Sequence, residues 1–241
     1  MLDGCLVVEL RQYTLHDGSR ELLVDLFERE FIASQEALGI RLFGPFRDLE
    51  DPNRFVWLRG FPDMERRVGM LSSFYDGPVW RSHRDRANAT MVDSDNVLLL
   101  RPHGRSAGSA QANGFSRGLF GRDAVVVVNI HYVDRPGLES FAQFFETNMR
   151  SAVTNAGAEI LAAFETEPAR NTFPRLPVRE GESVFVWLAA FRNATELENH
   201  VRVLRDSPDW RKDAPGDVLR QFSRKPEVLK LAPTPRSQLT T

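Results

Sequence analysis

Three stretches of this chain bring arginine and aromatic rings together at spacings that could support chemistry. Phe55, Trp57, Arg59 and Phe61 alternate with Val56, Leu58 and Gly60. Such alternation marks a strand with two unlike faces. Arg11 and Tyr13 recur in an earlier run of the same kind, and Arg41 and Phe43 in another. The purely apolar set Val56, Leu58 and Gly60 is expected to face covering helices. Arg11, Tyr13, Arg41, Trp57 and Arg59 then point the other way and, with Trp187, form an aromatic box lined by cations. That box suits a planar, electron-rich or anionic aromatic molecule, held by stacking and cation–π attraction. The plainer reading is that these residues only pack the sheet, with the arginines paired to Glu9 or Glu159.

Two histidines are placed to act as a base, since an unperturbed imidazole titrates near neutrality. His16 follows the first strand-like run, where a barrel mouth would open; it also reads as an ordinary surface residue of a turn. His131 lies beside Asn129, and the pair would offer a base and an oxyanion donor if both face a cavity. If Tyr132 aligns with Tyr13, strand parity puts His131 against the helices instead. The five histidines have no ligand-like spacing, and the single Cys5 excludes a thiolate cluster, so no metal site is expected. No phosphate loop or nucleophile elbow is present, and the expected chemistry calls on no cofactor.

The elements that must position these residues come in duplicate. Phe55-Val56-Trp57-Leu58 returns as Phe185-Val186-Trp187-Leu188, Phe61 as Phe191, and Pro78-Val79-Trp80-Arg81 as Pro208-Asp209-Trp210-Arg211. A fixed offset of this kind is the trace of a repeated structural unit. Each copy reads as strand, helix, strand, strand, helix, strand. Leu22, Leu23, Leu26, Phe27 and Phe31 recur at helical spacing in the first, and Leu138, Phe141, Phe144, Phe145 and Met149 in the second. Trp80 and Trp210, present in both copies, read as structural anchors.

The order is that of an α+β ferredoxin-like βαββαβ unit, a four-stranded sheet with helices on one face. The face left bare is too apolar for water, so the two units are expected to pack sheet to sheet as a barrel around one ligand cavity. The expected boundaries are residues 1–102 for the first unit, 103–122 for a flexible Gly/Ser-rich linker and 123–241 for the second. The copies differ most between their second and third strands, where the second carries a long insertion with Asn171, Arg175 and Arg179. A Pro-stiffened loop with several arginines is expected to close over one mouth of the cavity as a lid, the alternative being a clamp on the first unit.

Apolar residues make up 42% of the chain, charged residues 27%, and the net charge is -2. No basic excess favours nucleic acid or an anionic membrane. No apolar run approaches membrane-spanning length. A lone cysteine and a start without a basic leader lead to the expectation of a reducing, cytoplasmic setting. Self-association as a homo-oligomer is compatible with the sequence and is not specified by it.

The run Glu9-Leu10-Arg11-Gln12-Tyr13-Thr14-Leu15, followed by Gly44-Pro45-Phe46, Phe55 to Arg67 and Trp80, resembles a NIPSNAP domain. The insertion Asn171 to Glu180 is similar to the corresponding segment of tandem NIPSNAP proteins. The second half departs at its first strand, where Val128-Asn129-Ile130-His131-Tyr132 replaces the Glu-Leu-Arg-Gln-Tyr pattern. The resemblance implies the dimeric α+β barrel superfamily, with both halves of the barrel on one chain. Relatives in that superfamily include cofactor-independent oxygenases, isomerases and cyclases, and fold alone does not choose among them. The expected activity is therefore an enzyme acting on a hydrophobic aromatic or polyketide-like small molecule. A base, His16 or His131, would deprotonate it, and arginine would hold the resulting anion. The alternative is a non-catalytic binding or scaffold protein.

Overall fold

The computed structural model describes residues 4–104, 121–207 and 222–238. The first unit opens with strand β1 (Val7–Leu15) and a helix α1 over residues 20–36, which carries a π turn at Phe27–Phe31. Strands β2 (Arg41–Asp48) and β3 (Arg54–Phe61) follow, then helices α2 (Met64–Tyr75) and α3 (Pro78–Asn88), and strand β4 (Met91–Pro102). The second unit repeats the order: β5 (Val125–Tyr132), helix α4 over residues 138–155 with a π turn at Phe145–Met149, β6 (Glu159–Thr166), β7 (Val184–Phe191), helix α5 (Ala194–Asp206) and β8 (Glu227–Pro233).

Local chemistry explains the element ends. Gly39 and Gly157 terminate α1 and α4 with φ of 85° and 98°, a conformation that favours a residue without a Cβ. The amides of Ile40 and Ala158 then bond back to the carbonyls of Gln35 and Val153. Asp63 caps α2 by accepting from the Arg66 amide, and Asn193 caps α5 by accepting from the Glu196 amide. Pro78 opens α3, where its missing N–H is no loss. This helix, and the full length of β4 from Met91, exceed what the hydrophobic pattern alone indicates.

The repeat has two offsets. Val7 to Val125 and Arg41 to Glu159 are each 118 residues apart, whereas Arg54 to Val184 and Met64 to Ala194 are each 130 apart. The difference of 12 is the extra length of the β6–β7 loop, 17 residues (167–183) against 5 (49–53) for β2–β3. Even the bulge in β2 between Leu42 and Gly44 recurs in β6 between Ile160 and Ala162.

The eight strands close into one antiparallel barrel in the order β1-β3-β2-β8-β5-β7-β6-β4. Each unit contributes a contiguous ferredoxin-like four-strand arc. The arcs are joined by hydrogen bonds, β2 to β8 and β4 to β6. The interior is filled mainly by aliphatic side chains, among them Val8, Leu10, Val56, Leu58, Val126, Val128, Val186, Leu188, Leu229 and Leu231, with the rings of Phe43, Phe46 and Phe164 among them. The helices lie outside, α1 to α3 over the first arc and α4 and α5 over the second.

This assignment of faces reverses the expected one. Val56 and Leu58 point into the barrel, while Tyr13, Phe55, Trp57 and Phe61 lie under the helices. The reason is charge: Arg11 and Arg59 share a strand face with Tyr13 and Trp57, and the groups that pair with or converge on them, Glu9, Gln35 and Arg67, lie on the helix side. The layer between sheet and helices accommodates large rings and long arginine stems. The expected inter-sheet location is occupied by the buried cluster of the barrel interior. The expected linker at 103–122 and the anchor Trp210 fall largely or wholly outside the described residues. Trp80 packs on Phe31, Phe74 and Tyr75 at ring distances of 5.5, 5.9 and 4.9 Å.

Candidate functional site

The two units have equivalent spaces between their sheet and their helices, filled in opposite ways. In the first, β1 and β3 bring Glu9 opposite Arg59 and Arg11 opposite Trp57. α2 adds Arg67 and α1 adds Gln35. Glu9, Arg59 and Arg67 are 0% exposed and Arg11 is 1% exposed. One carboxylate serves three guanidiniums: Glu9 accepts from Arg11 at 2.7 Å, from Arg59 Nε at 2.8 Å and from Arg67 Nε at 2.7 Å. Arg11 Nε also donates to the Tyr13 hydroxyl at 3.0 Å, and Arg59 to Gln35 Oε1 at 3.0 Å. The Arg59 guanidinium lies 4.9 Å from the Trp57 ring centre. Burial alone would raise the Glu9 pKa, but the charges of Arg59, Arg11 and Arg67 hold it well below the usual carboxylate range. Burial pushes the Tyr13 hydroxyl up, which keeps it protonated.

In the second unit the same five positions read Val127 for Glu9, Asn129 for Arg11, Val153 for Gln35, Ala189 for Arg59 and Leu197 for Arg67. The ladder confirms the correspondence, with Val127 opposite Ala189 and Asn129 opposite Trp187. The charged cluster is thus replaced by four apolar side chains and one neutral amide, and a cavity of about 490 Å³ takes its place, lined by all five. Trp187, Phe191, Val201 and Leu204 complete its apolar wall, with His200, Arg205 and Lys230 as its polar edge. A space of this size and composition is typical of small-molecule sites.

Polar groups at the cavity are few and specific. The Asn129 side-chain amide nitrogen is buried without a hydrogen-bond partner. Trp187 Nε1 donates to His131 Nε2 at 3.1 Å, so the neutral His131 carries its proton on Nδ1. Burial lowers the His131 pKa to about 4, leaving it uncharged near neutrality. His200 donates from Nδ1 to the Ala156 carbonyl at 3.1 Å, which leaves Nε2 as an acceptor. Burial lowers its pKa, and the Ala156 bond opposes that in part.

The residues expected to share one box are therefore divided. Arg11, Tyr13, Trp57 and Arg59 do meet, but beneath the helices of the first unit rather than between the halves. Arg41 is exposed on β2 and stands outside that cluster. Trp187 and His131 belong to the second unit's cavity region, with His131 packed under α4 against Phe141 at 4.9 Å. His131 occupies the place of Tyr13, because β5 follows the offset of 118; an alignment of Tyr132 with Tyr13 is one residue out. His16 is exposed in the turn after β1, with its amide bonded to the Thr90 carbonyl.

The insertion lies along the first unit over residues 171–175 and reaches the barrel rim at Arg179. Phe173 is buried in that unit's helix layer and stacks on Tyr75 at 6.1 Å. Asn171 Oδ1 accepts from Arg67 at 3.1 Å, and Arg175 pairs with Asp76 at 2.9 Å. Arg179 bonds to Asn96 and Tyr132 at the barrel rim, at 3.2 and 3.1 Å, and pairs with Glu182. His200 and Asn129 carry the cavity's polarity without a motif; the signal was the missing charge at positions paired with Glu9, Arg59 and Arg67. Among the described residues no group of three or more His, Cys, Asp and Glu could hold a metal, and no helix is long and apolar enough to cross a membrane.

Comparison with known proteins supports this architecture. An anthrone oxidase-like protein is 13% identical over 98% of this chain and 96% of that one, with a TM-score of 0.64. A Lactobacillus acidophilus NCFM protein assigned provisionally as a monooxygenase is also 13% identical, over 95% and 93%, with a TM-score of 0.59. At these identities the likeness is one of fold, and it extends over at least 95% of this chain in both. A NIPSNAP-like domain protein from Burkholderia xenovorans is 29% identical over 42% of this chain and 88% of its own, with a TM-score of 0.39. No curated protein matches the chain. Residues 8–106 match the model of the NIPSNAP family, which assigns a NIPSNAP domain to that part of the chain.

Proposed function

We propose that the chain binds a hydrophobic, ring-bearing small molecule in the second unit's cavity, with its polar end at Asn129 and His200. The observation that carries this reading is the replacement of five buried polar or charged residues by Val127, Asn129, Val153, Ala189 and Leu197, all of which line one cavity of about 490 Å³. A flat apolar ligand would stack against Trp187 and Phe191, and the unpartnered Asn129 amide would donate to a ligand carbonyl or phenolate oxygen. His200 Nε2 is the group best placed to accept a proton from an acidic C–H or O–H. The developing oxyanion would then face Asn129 and Arg205, which supports a cofactor-independent deprotonation leading to oxygenation, isomerisation or cyclisation. The packed barrel interior, taken alone, fits a non-catalytic scaffold; the cavity behind the second sheet is what favours ligand binding.

The test is a fluorescence titration with anthrone, read from tryptophan quenching. The unaltered protein should show saturable binding. Leu197→Arg, which restores the first unit's residue at the cavity wall, should weaken it at least about tenfold, equal to about 1.4 kcal/mol. Unchanged binding in Leu197→Arg and in Asn129→Ala would place the ligand elsewhere. Turnover that survives His200→Gln would remove the proton-transfer assignment while leaving the binding site intact.

A further inference from the structure

The first unit's charge cluster holds a second opportunity, independent of the cavity. One carboxylate is shared by three guanidiniums, all at 0–1% exposure, so the cluster carries an excess of two positive charges in the interior. Among the described ion pairs, Glu9 is the acid partner of all three arginines. Buried charge of one sign is costly unless it is paired. A donor remains as well. Trp57 Nε1 is buried without an acceptor, while Arg59 Nη2 and Arg67 Nη2 are ion-paired with Glu9 at 2.8 and 2.6 Å and share that single carboxylate.

The cluster is covered on one side by the β6–β7 loop of the other unit. Asn171 Oδ1 and Thr172 Oγ1 approach Arg67 Nη1 at 3.1 and 3.5 Å. Both are neutral oxygens supplied by a surface loop, and Thr172 is exposed. An anionic oxygen in their place would make the same contact and compensate part of the excess charge.

We propose that the Arg11–Arg59–Arg67 cluster is an anion site, taking a single-charge anion or a ligand carboxylate at Arg67 as the Asn171–Thr172 segment lifts. Glu9 keeps the three guanidiniums converged and so sets the geometry. Phe173, inserted beside Tyr75, reseats the loop after exchange.

The experiment uses the full chain and two probes, sodium bromide and sodium formate, at constant ionic strength. Thermal unfolding is followed for the unaltered protein and for Arg67→Gln. The expected result is a saturable rise in Tm of about 3–5 °C at ten times the half-saturating concentration, lost in Arg67→Gln. General salt effects cancel between the two proteins. Bromide and formate acting alike points to a free inorganic anion, whereas formate acting at lower concentration points to a ligand carboxylate. A non-saturable response, identical in both proteins, means an adventitious ion only and overturns the proposal. Should Arg67→Gln fail to fold, crystals of the unaltered protein in bromide decide. Anomalous density within about 3.5 Å of Arg67 or Arg59 supports the site, and bromide confined to the surface rejects it.

Discussion

His131 gives the fold an acid-sensitive element whose size can be worked out. Burial under α4 holds its pKa at about 4, against 6.5 for the unperturbed group. The unfolded chain therefore takes up a proton at higher pH than the folded one. Stability is unaffected by this group above pH 6.5, falls as pH drops through 6.5, and stops falling below about 4. Between pH 7 and pH 5 the loss from this one residue is about 2 kcal/mol, and about 3 kcal/mol has gone by pH 4. The perturbation is His131→Gln, whose amide oxygen can still accept from Trp187 Nε1 but cannot titrate. Urea unfolding followed by circular dichroism at pH 7, 6 and 5 measures the difference between parent and variant, so that the carboxylates common to both cancel. The parent should lose about 2 kcal/mol more than the variant over that range. Parallel stability curves would mean that His131 is not held neutral by burial, and the tautomer assigned from the Trp187 bond would fall with it.

Phe173→Ala should lower stability by about 3–5 kcal/mol, because it empties a place in the first unit's core, yet leave anthrone binding in the second unit unchanged; a loss of binding would restore the lid reading. Glu9→Gln leaves three buried guanidiniums without their acid and should cost about 3–5 kcal/mol near neutrality. Because the folded-state pKa of Glu9 is depressed, that cost is present above the ordinary carboxylate range and should shrink as pH falls below it; a cost that is flat down to pH about 3 would contradict the ion-pair account. Gly44→Ala should destabilise the bulge in β2, since a Cβ there would meet Ser237 Oγ at 2.5 Å and the Phe46 ring at 2.7 Å, with φ at 153°. An unchanged Tm in Gly44→Ala would show that the chain end does not pack on β2 in solution.

The fold was largely readable from pattern. The recurrence of Phe-Val-Trp-Leu and the helical spacing of Phe27, Phe31, Phe141 and Phe145 are enough to predict two βαββαβ units facing each other. The face of each strand was not readable. Alternation separates Val56 and Leu58 from Trp57 and Arg59 but does not say which set goes inside, and both sides turn out to be buried. Buried arginine runs against the usual surface preference, and only the three-dimensional convergence on Glu9 accounts for it. The cavity was hidden for another reason. Ala189 and Leu197 look like unremarkable core residues until the correct offsets, 118 for β5 and 130 for β7 and α5, align them with Glu9, Arg59 and Arg67.

The joining of both arcs on one chain has an evolutionary consequence. A barrel assembled from two identical subunits receives every mutation twice, so a change that opens one site opens both, and a change that buries charge buries it in duplicate. Here the β2–β8 and β4–β6 seams tie two separately encoded arcs into the same closed barrel. Selection could then act on one arc while the other held the structure. That freedom allows a dense ionic core in the first unit to coexist with a vacated, ligand-sized space in the second. It also allows the twelve extra residues to appear once, on the arc whose loop reaches across to cover its neighbour. Subsequent divergence is then constrained mainly at the two seams, where a strand of either arc must still match a partner from the other.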